Sequence, residues 1–291
     1  MSPQNRPDVI LGGGVSGLLV ARRLDQLKRN YIMLERSNHV MPEGGGRGFF
    51  YLHERILGTE PVIEVRIEHC PNADPRLYAE KVYGDRNVGP VSLETLPAKS
   101  KGYFLEGSKL APPDLSERTM LNFNAHVIDM SAKVVYAKDG RSMPYNFLHS
   151  TVPLPVLCKL VGSWPICQNQ PMKFNSRTIW VHVPFFGATP KDGDPLVATY
   201  CASGCHPWYR RSERGVFVQE EYTEQRYGAF PLNPGKIWLD PKNKEVEKER
   251  IDDIRLLLKG RGVYTWGRYG TWTPKMLTHH VAVAIGQEVF A

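Results

Sequence analysis

Gly12, Gly14 and Gly17 are spaced G-x-G-x-x-G, and an acid, Glu35, stands roughly 20 residues further on. Glycine at the first position permits a tight turn. At the second it lets backbone approach a bulky anion, and at the third it lets a helix pack closely on a strand. The N–H groups of a first helical turn at Val15, Ser16 and Gly17 would point a positive dipole end at that anion. A carboxylate at Glu35 would accept from both hydroxyls of a ribose. The chemistry this set suits is holding the pyrophosphate and sugar of a dinucleotide.

These residues need particular elements to position them. Asp8-Val9-Ile10-Leu11 is a short apolar run of strand character, and Leu18, Leu19, Ala21 and Leu24 continue at helical spacing. Tyr31-Ile32-Met33-Leu34 reads as a second strand, ending on Glu35 and Arg36. A glycine turn alone is a weak signal. Strand, glycines, helix, strand and acid in register favour the nucleotide reading over a plain strand–turn–helix with a surface glutamate.

At 291 residues the chain suits one large domain or two interleaved ones. Its 42% hydrophobic and 23% charged residues are those of an ordinary globular protein. No apolar stretch approaches the ~20 residues that span a bilayer, and the polar start carries no secretory pattern, so a cytoplasmic protein with no membrane partner is expected. The net charge of +7 suits an anionic partner: a small-molecule or nucleotide-linked substrate, or a nucleic acid stacked on aromatics such as Phe49, Phe50 and Trp208. A merely soluble basic surface would carry the same charge. Five cysteines do not make a disulfide scaffold. Cys201, Cys205 and His206 could begin a metal site, but no second Cys/His pair with ligand spacing lies nearby, so two buried cysteines around a turn and no metal are expected.

After Glu35 the chain runs through Gly44-Gly45-Gly46-Arg47, a second backbone-exposed loop. Near the other end, Val263 to Trp272 carries Gly267-Arg268, and Thr273-Pro274 reads as the start of a helix running to Phe290. Between them, Ala125 to Met130 and Lys133 to Ala137 read as strands, followed by Ser150-Thr151-Val152-Pro153 and a helix to Leu160. In these segments the sequence resembles the flavoproteins of the amine oxidase, protoporphyrinogen oxidase and UDP-galactopyranose mutase group. The resemblance implies FAD as cofactor. By it, Gly45, Gly46 and Arg47 approach the pyrophosphate and flavin, and the backbone of Val127 contacts the adenine side. Gly267 and Arg268 reach the FAD phosphates. The backbone near Met276 and Leu277 faces the isoalloxazine, where a helix N-terminus would stabilise charge on the reduced flavin. Arg36 joins the expected cofactor set beside Glu35.

The implied fold is α/β: a Rossmann-like FAD-binding domain, with a parallel sheet and a β-meander, and an interleaved, smaller antiparallel-sheet substrate domain. Residues 1–50, 124–160 and 262–291 are expected in the first, and residues 51–123 and 161–261 in the second. Within the latter, Tyr51 to Leu57 is expected to start a helix, and Val62 to Ile67 to form a strand. Prolines and glycines break up the stretch from Pro71 to Pro90. Thr178 to Val183, Leu196 to Tyr200 and Val216 to Gln219 alternate as antiparallel strands, and Glu245 to Lys259 reads as an amphipathic surface helix.

The reaction implied by the resemblance is an oxidation in which a substrate C–H, next to nitrogen, gives hydride to flavin N5. Amine oxidases often place a lysine–water pair there, which makes Lys101 and Lys275 candidates. The mutases carry an aromatic–Arg element facing substrate, which makes Tyr209 and Arg210 candidates; an arginine on an exposed hairpin is the plain alternative. A redox-neutral UDP-sugar mutase using reduced flavin, and a flavoenzyme modifying a nucleotide or a base in nucleic acid, are the two competing readings.

Overall fold

The computed structural model describes residues 6–40, 50–71, 74–85, 88, 99–105, 107–162, 174–183, 191, 193–202, 205–274 and 276–288. In chain order these form β1 (Asp8–Leu11), α1 (Val15–Gln26), β2 (Tyr31–Leu34), β3 (Phe50–Leu52), β4 (Val62–His69), α2 (Pro75–Tyr83), β5 (Lys99–Leu105) and β6 (Thr119–Met120). Next come β7 (Ala125–Asp129), β8 (Val134–Ala137), β9 (Ser142–Pro144), β10 (Leu148–Ser150) and α3 (Leu154–Leu160). The last part gives β11 (Asn175–His182), β12 (Leu196–Tyr200), β13 (Arg210–Arg214), β14 (Phe217–Tyr222), β15 (Phe230–Trp238), α4 (Lys244–Gly260), β16 (Val263–Thr265), α5 (Gly267–Gly270) and α6 (Thr278–Gln287).

The chain divides into two units. The first comprises Met1–Arg47, Glu106–Lys173 and Glu245–Ala291. Its centre is a five-stranded parallel sheet in the order β16-β10-β1-β2-β6. Every residue of β1 is buried, as a strand covered on both faces must be. Helix α1 buries Leu18, Leu19, Val20, Ala21 and Leu24, and α6 packs against it, with Arg23 donating to the Gly286 carbonyl at 3.1 Å. Strands β7, β8 and β9 form a separate antiparallel meander. The charged end of β1 is neutralised inside the unit: Asp8 is buried and accepts from Arg29 at 2.7 Å.

Residues 106–123 and 245–261, expected on the substrate side, belong to this first unit. The reason is pairing at a distance. Strand β6 closes the parallel sheet by binding β2, and Arg118 bridges to Asp25 at 3.0 Å. Helix α4 is the amphipathic helix its spacing predicts, with Ile251, Ile254 and Leu258 buried, and Lys259 bridges to Glu288 at 2.7 Å.

The second, smaller unit comprises Gly48–Leu105 and Phe174–Lys244. It is an eight-stranded sheet in the order β15-β11-β14-β13-β12-β4-β5-β3. Its neighbours are antiparallel except for one joint, where β12 runs parallel to β4. The expected helix from Tyr51 is instead the edge strand β3, whose residues pair with β5 from Phe50 opposite Leu105 to Leu52 opposite Tyr103. Pairing partners far along the chain override local helix preference there. The segment read as broken by prolines contains α2. Asp74 caps it, accepting from the Arg76 N–H at 2.7 Å, Pro75 opens its first turn, and Gly84 ends it in the left-handed region. Tyr78 and Val82 of α2 pack into the core formed with Ile179, Val181, Val183, Tyr209 and Phe217.

Among the described residues no helix is long and apolar enough to cross a membrane.

Candidate functional site

The loop between β1 and α1 is shaped by backbone contacts. Gly12 has φ +106°, and a Cβ there would also lie 2.4 Å from Thr151 Oγ1. Its N–H donates to the Leu34 carbonyl at 2.9 Å, while the Thr151 N–H donates to the Leu11 carbonyl at 2.9 Å. A Cβ on Gly17 would lie 2.0 Å from the Gly12 carbonyl oxygen, an approach only hydrogen allows. Gly14 differs. Its φ of −77° suits any residue, and a Cβ would meet nothing within 4 Å. Among the described residues nothing gives a reason for glycine at 14, whereas a pyrophosphate lying against that backbone would. Gly14 is also the N-cap of α1. It offers no side-chain cap, and the first turn holds no acid, so the N–H groups of Val15, Ser16 and Gly17 keep their capacity for an anion.

Glu35 stands at the end of β2 and clamps this loop. Its Oε2 accepts from the Gly13 N–H at 2.6 Å and its Oε1 from the Ser37 N–H at 2.8 Å, with Ser37 Oγ at 2.7 Å from the same oxygen. A carboxylate offers about four lone-pair sites, so acceptor capacity is left over on the Oε2 side. Arg36 beside it is exposed. The Phe123 N–H donates to the Glu35 carbonyl at 2.8 Å and the Asn122 N–H to the Ser37 carbonyl at 2.9 Å. That ties the start of the meander to the acid. Val127 follows in β7, exposed, at a register shift in its pairing with β8.

The far end of the sequence meets the same loop. Gly267 has φ +80°, and a Cβ there would lie 2.3 Å from Ser16 Oγ, in the first turn of α1. The Trp266 N–H donates to the Ser150 carbonyl at 2.9 Å. Gly12, Ser16, Ser150, Thr151 and Gly267 are thus brought together from three stretches of sequence.

Beyond Gly267 the structure corrects the expected helix. Trp272 sits at φ +49°, the Thr271 hydroxyl donates to the Gly267 carbonyl at 2.8 Å, and the Thr273 N–H donates to the Arg268 carbonyl at 2.9 Å. These bonds close α5 in a turn, so Thr273-Pro274 ends one element instead of starting the next. Helix α6 begins at Thr278, with Leu277 at its N-cap donating to His280 Nδ1 at 3.2 Å. Met276 and Leu277 therefore precede that helix. Arg268 reaches them, its Nε donating to the Met276 carbonyl at 2.9 Å. The expected cofactor residues Gly45, Gly46 and Arg47, with Phe49 and Lys275, lie outside the described residues.

A buried aromatic stack, invisible in the motif pattern, supports this region. His149 of β10 lies between Asp8 and Trp266: its Nε2 is 4.0 Å from Asp8, and its Nδ1 accepts from Trp266 Nε1 at 3.2 Å. Tyr264 stacks on the same ring at 5.4 Å. Burial, followed by the nearby Arg29 charge, holds His149 down to about 3, so the imidazole is neutral at pH 7. The sequence signal was the aromatic alternation at 264 and 266, which read only as strand.

In the second unit the structure redraws the candidate residues. Lys101 is exposed in mid-strand opposite Glu64. Tyr209 is fully buried, and its hydroxyl donates to Glu221, so it has no surface to offer a substrate. Arg210 lies 3.4 Å from Glu221 and donates to Ser212 Oγ at 3.2 Å; it belongs to a partly buried cluster and not to an exposed hairpin tip. Burial pushes Glu221 up, but Arg210 and Lys236, with bonds from Tyr209 and Gln219, outweigh it and hold the carboxyl below its ordinary range. Burial, then the Glu221 charge, pushes Tyr209 up. Trp208, expected as an exposed aromatic, is buried against Cys70, Cys201 and Tyr222. The expected pair of buried cysteines is also different: Cys201 is buried, Cys205 is exposed, and Cys70 joins them.

No family model matches the sequence, and no curated protein matches it. The fold does have counterparts among solved structures. A reduced UDP-galactopyranose mutase superposes with a TM-score of 0.65 at 15% identity, over 97% of this chain and 94% of that one. A fatty acid isomerase from P. acnes that produces CLA gives 0.58 at 12% identity, over 98% of both chains. A protein from Exiguobacterium sp. 255-15, provisionally named a protoporphyrinogen oxidase, gives 0.52 at 10% identity, over 96% of this chain and 99% of that one. The chain thus has the fold shared by these three proteins, built from one parallel-sheet unit and one largely antiparallel unit.

Proposed function

We propose that this chain binds FAD on the Gly12–Gly17 loop and is an oxidoreductase acting on a C–H next to nitrogen. The observation that carries the reading is Gly14, whose missing side chain meets no packing partner among the described residues and leaves room there for a pyrophosphate. FAD so bound would supply a hydride acceptor at flavin N5. The rest falls to the chain's own groups. The N–H groups of Val15, Ser16 and Gly17 hold the phosphates, and Glu35 accepts from the ribose while Gly13 and Ser37 keep its carboxylate in place. By resemblance, Arg36, Gly45, Gly46, Arg47, Val127, Gly267 and Arg268 complete the cofactor contacts. The N–H groups at Met276 and Leu277 offset negative charge on the flavin's N1–C2=O edge. Lys101, Lys275 and Arg210 are the substrate-side candidates. Tyr209 acts through Glu221, as a positioning residue for Arg210.

Purified protein should be yellow and release FAD, not FMN, on denaturation; a colourless protein that cannot be reconstituted with FAD defeats the reading. Glu35→Ala should lose about 1–3 kcal/mol of FAD affinity, the scale of a charge-assisted bond. Met276→Asp should lower the flavin potential with FAD still bound, since added negative charge opposes the reduced anion. Anaerobic photometry against amines, UDP-sugars and nucleic acids then sorts the reaction: an amine that bleaches the flavin band supports the oxidoreductase.

A second reading is a redox-neutral mutase, favoured by the similarity to the reduced UDP-galactopyranose mutase. It predicts no bleaching by any substrate, and turnover of a UDP-sugar only after the flavin has been reduced chemically.

A further inference from the structure

In the second unit, three thiols from distant parts of the sequence share one spot. Cys70 follows β4 and Cys201 follows β12, and these are the strands of the sheet's single parallel joint. Their register sets His69 beside Tyr200, and the Cys70 N–H donates to the Tyr200 carbonyl at 2.9 Å. The two cysteines therefore leave the sheet side by side. Cys205 lies close by, so that the three sulfur atoms all lie within 4.8 Å of one another, with Cys201 and Cys205 Sγ 3.3 Å apart. None of the three is in a disulfide.

The surroundings suit a soft cation. A Zn–S bond of about 2.3 Å in a tetrahedron sets sulfurs about 3.8 Å apart, between the 3.3 Å of the Cys201–Cys205 pair and the 4.8 Å within which all three lie. Trp208 and Tyr222 pack around the buried side, and Cys205 is exposed, giving an entry path and a solvent-facing fourth position. Lys81 from α2 lies over the cluster. Its Nζ is 3.7 Å from Cys201 Sγ, and it donates to the carbonyls of His206 at 2.8 Å and Trp208 at 3.0 Å. It thus both ties down the backbone from His206 to Trp208 and supplies a positive charge.

We propose that Cys70, Cys201 and Cys205 form a zinc site, with water as the fourth ligand. On binding, Zn²⁺ displaces three thiol protons to solvent. Three thiolates and one Zn²⁺ sum to a single negative charge, which the Lys81 ammonium offsets. No electron transfer is involved. The site lies wholly within the second unit and is independent of any cofactor in the first.

The test uses the full chain, purified under reducing conditions, stripped with a chelator and titrated with Co²⁺ and then Zn²⁺. One equivalent of Co²⁺ should give the thiolate charge-transfer bands and intense d–d bands of a tetrahedral sulfur-rich site, and Zn²⁺ should displace it. Cys205→Ser, at the exposed position, should fold as wild type and lose these bands. Lys81→Met should keep the cobalt spectrum with affinity weakened about 10-fold or more, as for loss of a supporting group around a metal. Cys158→Ser, in the other unit, should change nothing. An octahedral, weakly absorbing cobalt spectrum, or Zn²⁺ affinity unchanged in Cys205→Ser, overturns the proposal. So does a reduced protein that takes up no metal and instead forms a Cys201–Cys205 disulfide in air.

Discussion

The two units reach their polar arrangements by opposite means. In the first, the loop after β1 is made of absent side chains: Gly12 lets Thr151 in, Gly17 lets the Gly12 carbonyl in, and Gly14 has no described atom within 4 Å of where its side chain would be. In the second, the polar groups are side chains turned inward, with Tyr209 and Arg210 both bonded to Glu221, and a cluster of thiols in the same unit. Glycine loops are set by a handful of consecutive residues. Inward clusters are set by strand register, so their members are far apart in sequence. A loop of the first kind keeps hydrogen-bonding capacity for a ligand, while a network of the second kind satisfies itself.

The sharpest way to break this comparison is to open the self-satisfied network. Glu221→Ala leaves Arg210 facing a buried space without its counter-charge, and should cost about 3–5 kcal/mol in urea denaturation. A loss under 1 kcal/mol would mean that water already reaches the cluster. Next in size is Gly17→Ala, whose new Cβ would meet the Gly12 carbonyl. It should cost about 3 kcal/mol and abolish FAD binding together with the fold of the loop.

The third prediction concerns pH. His149 is neutral in the folded protein down to about 3 but takes up a proton near 6.5 when unfolded. Below 6.5 the unfolded chain therefore binds the extra proton, and stability falls as pH falls, until His149 itself titrates near 3. Between pH 6.5 and 5 the loss should be about 2 kcal/mol, and His149→Gln should flatten it. A stability independent of pH across that window would place the imidazole in contact with water.

The smallest stability effect, and the one that separates packing from ligand binding, is Gly14→Ala. With an ordinary φ and no described atom within 4 Å of the new methyl, it should stay within about 0.5 kcal/mol of wild type. FAD affinity should nonetheless fall. Equal FAD affinity in this variant would remove the reason for assigning the loop to a pyrophosphate.

Legibility in the sequence follows the same division. The strands, helix and acid of the opening motif can be read because their own residues follow a known spacing, even though the loop also takes distant partners such as Thr151 and Gly267. The meander and α4 are readable from periodicity. The late start of α6 is not, because Thr273-Pro274 carries a helix-start signal that the Trp272 turn and the Thr271 hydroxyl divert into ending α5. Helix α2 is signalled by Asp74-Pro75 and Gly84, where proline opens a helix instead of breaking one. Strand β3 and the triad of thiols depend on pairing with distant partners, which periodicity does not report. Tyr209 shows the limit from the other side: an aromatic–Arg pair has the look of a surface device, and only the register of β13 against β14 turns it into core.

The seat of Gly267 on Ser16 bears on how the protein is made. Residues 8–17 leave the ribosome well before residues 263–287, and until these have followed, their loop lacks the neighbour that meets its first helical turn. The strand that brings that neighbour, β16, also occupies the edge of the parallel sheet, beside β10. A nascent chain stalled before residue 263 would therefore carry every glycine of the motif and still lack the finished loop on which FAD binding is proposed. The second unit, whose strands are all present by residue 238, could by then have paired its sheet. Synthesis from one end thus finishes the glycine motif only after the second unit, although the motif precedes that unit in sequence.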